Sequence, residues 1–232
     1  MSRSFAIHPA IKAYQRTVQF AIELIDPVTL ERISRGVMIV ADGLRGKPVI
    51  NMSGMFVWLK EDTDSLGEIR IDPGTLPYER VTVPRNRLKL PPNLQPSELP
   101  LTTIELQPRG DYVFTIGTTG IRGTLIESRI AQPAPIRNAE VSLQWLDDDG
   151  TTWNGGLSYL TTNDKGEFVA VLRLASADMP SLDADGAISI RLRAKSSGID
   201  ERYSTKVKIP LAHVSDQSTI KDLNFSWDEF QP

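Results

Sequence analysis

Two segments of this chain carry the same short pattern. The first is residues 53–59 (SGMFVWL) and the second is residues 165–172 (KGEFVAVL). In each copy a glycine stands two residues before a Phe-Val pair, and a turn containing an asparagine (Asn51 or Asn163) precedes it. Internal similarity constrains a fold strongly, because both copies must be able to form the same local unit. The sequence therefore predicts one β unit that is used twice.

Strand-like segments flank both copies in the same order. They are residues 20–25, 36–40 and 101–106 around the first copy, and residues 121–126, 139–145 and 219–225 around the second. Only two copies are visible, so a duplicated domain is predicted rather than a long solenoid.

Apolar and polar residues alternate with the period of two that is typical of strands with one solvent-facing side. Ser142 and Gln144 are predicted to lie on the solvent-facing side of their strand. Residues 147–150 (DDDG) and 163–166 (NDKG) are typical of hairpin turns, since Asx and Gly tolerate a positive φ. No segment has a long helical period. The sequence therefore predicts an all-β fold of two tandem antiparallel β-sandwich domains.

We expect three parts along the chain. Residues 1–15 form an N-terminal arm, residues 16–108 the first sandwich, and residues 109–232 the second. Five prolines in the segment 84–100 prevent regular strand pairing. This segment is interpreted as an excursion from the first sandwich, either a binding or lattice-contact element or a loop that covers a sheet edge.

Composition narrows the class of protein. With 40% hydrophobic and 24% charged residues, the 232-residue chain fits a globular protein rather than a disordered one. A net charge of -3 argues against broad nucleic-acid binding, which needs clustered cations.

The first residues lack the apolar segment of a signal peptide, and no apolar run is long enough to span a bilayer. We expect a cytoplasmic protein, a location that is compatible with membership of a large particle released by lysis.

No constellation of residues indicates a reaction. The two histidines, His8 and His213, have no metal-ligand spacing, and the absence of cysteine excludes thiolate chemistry. The run 147–149 (DDD) lacks the spacing of a calcium loop. A spatial pair of carboxylates is the one catalytic device that sequence leaves open. No catalytic, cofactor-binding or metal-binding residue is therefore predicted.

Four residues are candidates for contact with a partner. Trp153 lies between turn signals and beside glycines, where an exposed ring would stack on a sugar or anchor a protein, or else cover the end of the sandwich. Phe230 lies beyond the last predicted strand, where it would help a tail dock onto a neighbour. Pro91 and Pro92 lie in the proline-rich excursion.

The second half resembles a known family. Residues 123–126 (GTLI), 135–141 (PIRNAEV) and 161–168 (TTNDKGEF) are similar to the pattern of carboxypeptidase regulatory-like, transthyretin-like (prealbumin-like) domains. The first half retains residues 54–57 (GMFV) but lacks the Pro-x-x-Ala element and the Asp-x-x-Gly turn. The resemblance implies transthyretin-like or Ig-like sandwiches.

Members of that family are usually non-catalytic accessory, adhesive or assembly modules. The double-domain architecture is similar to accessory structural proteins of phage-tail-like contractile injection systems. It implies a structural subunit of the baseplate, tail or accessory layer, with protein partners, homo-oligomeric contacts and no nucleic acid. An adhesion or carbohydrate-binding module and a carboxylate hydrolase are the alternatives.

Overall fold

The computed structural model describes residues 18–59, 63–91, 94, 98–130, 133–155, 160–174, 178, 180–196, 201–211 and 219–232. Within these residues the chain forms sixteen strands, three short 3-10 helices (Thr63–Ser65, Arg85–Arg87 and Trp227–Glu229) and no α-helix. The predicted all-β class is confirmed. The predicted N-terminal arm and both histidines lie outside the described residues.

The first half builds two sheets. Its strands are β1 (Val18–Ile25), β2 (Met38–Ala41), β3 (Val49–Ile50), β4 (Phe56–Leu59), β5 (Glu68–Asp72), β6 (Val81–Pro84) and β7 (Leu101–Glu105). One sheet has the order β3-β4-β1-β7 and the other β2-β5-β6. Inward side chains of both sheets form one buried core, in which the rings of Phe20 and Trp58 stack with centroids 4.5 Å apart. Two sheets that share one core make a β-sandwich.

The second half repeats this plan. Its strands are β8 (Thr119–Ile126), β9 (Glu140–Leu146), β10 (Trp153–Gly155), β11 (Leu160–Thr161), β12 (Glu167–Val171), β13 (Ala187–Lys195), β14 (Arg202–Tyr203), β15 (Val207–Pro210) and β16 (Thr219–Ser226). One sheet has the order β12-β8-β16, and the other has the order β10-β9-β13-β14 with β11 on β9 and β15 on β13. A second buried core lies between them.

The strand pairings confirm the predicted repeat. The three strands β4-β1-β7 correspond in order and direction to β12-β8-β16, and β2-β5-β6 correspond to β9-β13-β15. Each Gly-x-Phe-Val copy thus supplies the strand that lies antiparallel to the first strand of its half.

The expectation of purely antiparallel sheets needs one correction in each half. β7 runs parallel to β1, and β16 runs parallel to β8. Parallel neighbours need a long crossover connection, because the chain must return to the same end before pairing. Residues 85–100 lie in the connection from β6 to β7, which belongs to this crossover.

Of the two predicted hairpin turns, one joins paired strands. Residues 147–150 connect the antiparallel strands β9 and β10, as expected. Residues 163–166 connect β11 to β12, which belong to different sheets, so this turn makes a corner of the sandwich. At Gly166 φ is +74°, and a Cβ there would lie 2.4 Å from the carbonyl oxygen of Leu125.

Candidate functional site

A buried carboxylate lies where the chain leaves β1. Asp26 follows this strand directly and is 5% exposed. Its Oδ1 accepts a hydrogen bond from the amide of Val28 at 2.8 Å, and its Oδ2 accepts from the hydroxyls of Thr29 at 3.0 Å and Tyr112 at 2.5 Å. These donors offset the cost of burying a charge. Asp26 thus fixes the chain directly after the end of β1.

Two tyrosine rings meet at this carboxylate. Burial raises the pKa of Tyr78 and of Tyr112, and the nearby charge of Asp26 raises both further, because it disfavours a second negative group. The two rings lie edge to face with their centroids 5.8 Å apart. Both hydroxyls therefore remain neutral at physiological pH.

Hydrogen bonds join residues of the first half to residues of the second. The Oε1 of Gln107 accepts from the amide of Thr161 at 3.1 Å and from its hydroxyl at 3.2 Å. The Nδ2 of Asn163 donates to Glu79 Oε1 and to Glu167 Oε2, both at 2.9 Å. The corner turn that ends in β12 is thereby fixed to the first sandwich.

The connecting segment adds a further contact between the halves. The Nη2 of Arg122 donates to the carbonyl oxygen of Tyr112 at 2.7 Å, and its guanidinium lies 5.3 Å from the ring centroid of Phe114. Phe114 and Val28 pack against both buried cores. Phe114 and Val28 thus bridge the two cores. The domain limits 16–108 and 109–232 stay a prediction.

An open cleft of about 1200 Å³ lies along this junction. Its charged lining residues come from both halves and have both signs: Glu79, Arg80, Arg87, Arg109, Asp111, Glu140, Asp164, Lys165 and Glu167. Among the described residues, no group of three His, Cys, Asp or Glu side chains is arranged to hold a metal ion. The acids that Asn163 bridges, Glu79 and Glu167, are distant in sequence and were not identified from it.

A second polar arrangement lies on the outer face of the sheet β10-β9-β13-β14. The guanidinium carbon of Arg191 lies 4.5 Å from the ring centroid of Trp153 and 4.0 Å from that of Tyr203. The Nε of Arg191 donates to Gln144 Oε1 at 2.7 Å. Burial lowers the pKa of Arg191, although an arginine stays charged at any physiological pH. We call these four side chains the Arg191 stack.

The stack changes the interpretation of two sequence predictions. Trp153 is half-buried on the strand β10, and a guanidinium lies over its ring, so it is not a freely exposed tryptophan in a loop. Gln144 and Ser142 lie on the outer face as predicted, but they are 8% and 3% exposed. The prediction that solvent covers them is wrong, because period-two alternation reports which face a side chain is on and not what packs over that face.

Phe230 corrects another prediction. It is 6% exposed, and its ring stacks on Trp227 at 5.5 Å and meets Phe225 edge to face at 6.0 Å. The 3-10 helix Trp227–Glu229 turns the chain back, so that Phe230 enters the second core instead of extending to a neighbour.

The proline-rich excursion is only partly described. Pro91 is exposed at a turn, and Pro92 lies outside the described residues. On either side of Pro91 the segment packs on the first sandwich. Leu88 and Leu90 are buried in its core, and the carbonyl oxygen of Pro100 accepts from the amide of Ala21 at 2.7 Å. This packing favours the edge-covering interpretation for the described part of the excursion.

Neither the family models nor the curated proteins compared with the chain match it. Among solved structures, it is similar to a DUF3823 family protein from Bacteroides ovatus, with 15% identity and a TM-score of 0.24; the match covers 83% of this chain and 99% of that one. It is also similar to the shaft pilin SpaA from Lactobacillus rhamnosus GG, with 10% identity and a TM-score of 0.22, over 89% of this chain and 98% of that one.

TM-scores this low carry no argument about function. The sandwich architecture is established by the sheets and cores of the chain itself, whereas the transthyretin-like family resemblance stays a prediction. No helix among the described residues is both long and apolar enough to cross a membrane.

Proposed function

We propose that the chain is a non-catalytic structural subunit of a multi-subunit assembly, and that its setting is a phage-tail-like contractile injection particle. The observation that carries the proposal is the hydrogen-bonded junction between two sandwiches of the same topology. A subunit that holds neighbours at fixed positions must resist bending. The buried Asp26–Tyr112 hydrogen bond fixes the connecting segment to the first core, and the bridge from Asn163 to Glu79 joins the two halves; together they supply such resistance.

Sheet edges provide candidate contact surfaces for neighbouring subunits. β2 is an edge strand whose outward side chains Met38 and Val40 are 61% and 40% exposed. β3 is the edge strand of the other sheet, and both Val49 and Ile50 are exposed there. Scattered apolar residues are normal on a protein surface, but an edge strand also offers unpaired backbone groups to a partner.

Particle purification tests the proposal. A tagged copy of the chain is expressed in its source cells, and sedimenting particles are purified and imaged by negative-stain microscopy. We expect the chain at a constant ratio to the other particle subunits, while an abundant cytoplasmic protein, quantified as the control, is removed. A monodisperse monomer that is absent from every particle fraction contradicts the proposal.

The second candidate function is an adhesion or carbohydrate-binding module, for which Trp153 is the supporting observation. Its ring lies on an outer sheet face with the Arg191 guanidinium over one side, so a saccharide would have to contact the remaining ring surface. A glycan array with wild type and Trp153→Ala tests it. Binding that is lost in the variant at an unchanged melting temperature supports this candidate, and no glycan binding by the wild type contradicts it.

A further inference from the structure

The guanidinium of Arg191 is fixed in one plane. Two aromatic rings hold it, since the Trp153 and Tyr203 centroids lie 4.5 Å and 4.0 Å from its central carbon. Its Nε is used by Gln144. The part of the group that is left for another polar contact is the edge that carries its two terminal nitrogens. An arginine edge held in this way has little conformational freedom left to lose on binding. This favours recognition of a planar anion.

No anion of the described chain occupies this edge. Among the described residues, no carboxylate lies within ion-pair distance of Arg191, whereas the next outward arginine on β13, Arg193, pairs with Glu201. Lys195, two residues further along the same strand, is exposed. The outer face thus carries a positive charge that is positioned by three side chains and not neutralised by any of them.

We propose that the Arg191 stack is a docking site for the carboxylate side chains of an acidic segment in a protein partner. The match is one of charge and shape, because two terminal nitrogens in one plane fit the two oxygens of a carboxylate. A protein is favoured over a sugar because the guanidinium already covers one face of each ring, which leaves less ring surface for a saccharide to stack on. The inference names a partner class for the assembly surface and so rests on the proposed function.

Titration with short polymers tests the site on the full chain. The probes are hexaglutamate, hexaglutamine and a hexasaccharide of glucuronate. Their binding is measured by calorimetry and by the NMR signal of the Arg191 Nε–H. We expect hexaglutamate to bind and hexaglutamine not to bind. Arg191→Gln should weaken hexaglutamate binding about 10-fold or more, since a hydrogen-bonded charge pair contributes roughly 1.5–3 kcal/mol. Arg191→Lys, which keeps the charge but not the planar edge, should give an intermediate loss.

Lys195→Gln is the matched control, because it removes one exposed cation from the same face of the same strand. It should change hexaglutamate affinity by less than about 2-fold, as expected for an exposed charge. Equal losses in Arg191→Gln and Lys195→Gln would mean unspecific attraction and overturn the inference. Absence of hexaglutamate binding overturns it as well, and so does tighter, Arg191-dependent binding of the glucuronate hexasaccharide.

These outcomes are separable from those of the particle experiment. A chain that enters particles but does not bind hexaglutamate refutes the docking site and leaves the structural role intact. A chain that binds hexaglutamate through Arg191 but never sediments with particles refutes the structural role and leaves the site intact. Thermal unfolding of each variant confirms that an affinity loss is not a loss of fold.

Discussion

Asn51 and Asn163 occupy equivalent positions in the two halves. Each side-chain Oδ1 accepts a 2.9 Å hydrogen bond from the amide four residues later, at Met55 and at Glu167. Each backbone carbonyl accepts from the amide of the glycine that follows, Gly54 or Gly166, at 2.9 Å. The two turns differ in two respects: Asn163 Oδ1 also accepts from the amide of Lys165 at 2.9 Å, and Asn163 Nδ2 bridges two carboxylates.

The first prediction uses this difference. Asn51→Ala removes one exposed turn hydrogen bond and should lower the free energy of unfolding by about 1 kcal/mol. Asn163→Ala also leaves Glu79 and Glu167 without their shared donor, and should cost roughly 2–3 kcal/mol. Urea denaturation of the two variants measures both values. Equal costs would show that the bridge between the halves contributes nothing.

The second prediction concerns the glycines of the turns. Gly150 has a φ of +68° with open space around it, so Gly150→Ala should show only the backbone strain of about 1–2 kcal/mol. Gly166→Ala adds a Cβ that would lie 2.4 Å from the carbonyl oxygen of Leu125. We expect a cost at least about 1 kcal/mol larger than that of Gly150→Ala, because backbone must move. Identical urea midpoints for the two variants would contradict the packing at this corner.

The third prediction is a pH dependence. The folded state raises the pKa of Tyr112 and Tyr78 above the ordinary value of about 10, so the stability they contribute is complete below that pH. It is lost as the pH rises further, by about 1.4 kcal/mol per pH unit for each tyrosine. Above about pH 10 the wild type loses stability through both tyrosines, whereas the Tyr112→Phe variant loses it only through Tyr78. The difference in free energy of unfolding between wild type and variant should therefore shrink above about pH 10.

At neutral pH, Tyr112→Phe should cost roughly 1.5–3 kcal/mol, because it removes a buried hydrogen bond to a charged acceptor. Urea titrations at several pH values between about 8 and 12 measure both effects, over the range where tyrosine titrates. A difference between variant and wild type that is constant with pH would contradict the contact between Tyr112 and Asp26.

The fourth prediction follows from the burial of Phe230. Phe230→Ala should lower the free energy of unfolding by roughly 3 kcal/mol, since it opens a cavity beside Trp227 and Phe225. Pro91→Ala is the control from the same set of predicted contact residues, and its exposure limits the expected change to about 0.5 kcal/mol. A Phe230→Ala protein as stable as wild type would restore the original interpretation of this residue as an exposed docking group.

The predictable part of the fold was the part that local sequence encodes. Asn163, Gly166 and Phe168 specify a turn and the strand that follows within six residues, and the repeat around Phe56 revealed the duplication. The direction of β7 and β16 was not predictable, because it depends on how a long connection returns to the first strand of each half.

The candidate sites were predicted least well. Trp153 was predicted as a contact residue, which stays a prediction. Its partner Arg191 is on a strand that pairs with β9, and that pairing brings the two side chains together. The burial of Asp26 could not be read from the sequence, because its partner Tyr112 is 86 residues away along the chain. Phe230 was misassigned because a single 3-10 turn decides whether the chain end leaves the second core or enters it.

We expect the two sandwiches to move as one body. Backbone ¹⁵N relaxation measures this directly, through the rotational correlation time obtained separately from amides of β1 and β4 and from amides of β8 and β12. We predict one shared value, that of a single 232-residue body, in the wild type, and two values in a Tyr112→Phe, Asn163→Ala double variant. Two distinct and shorter values in the wild type would contradict the claim.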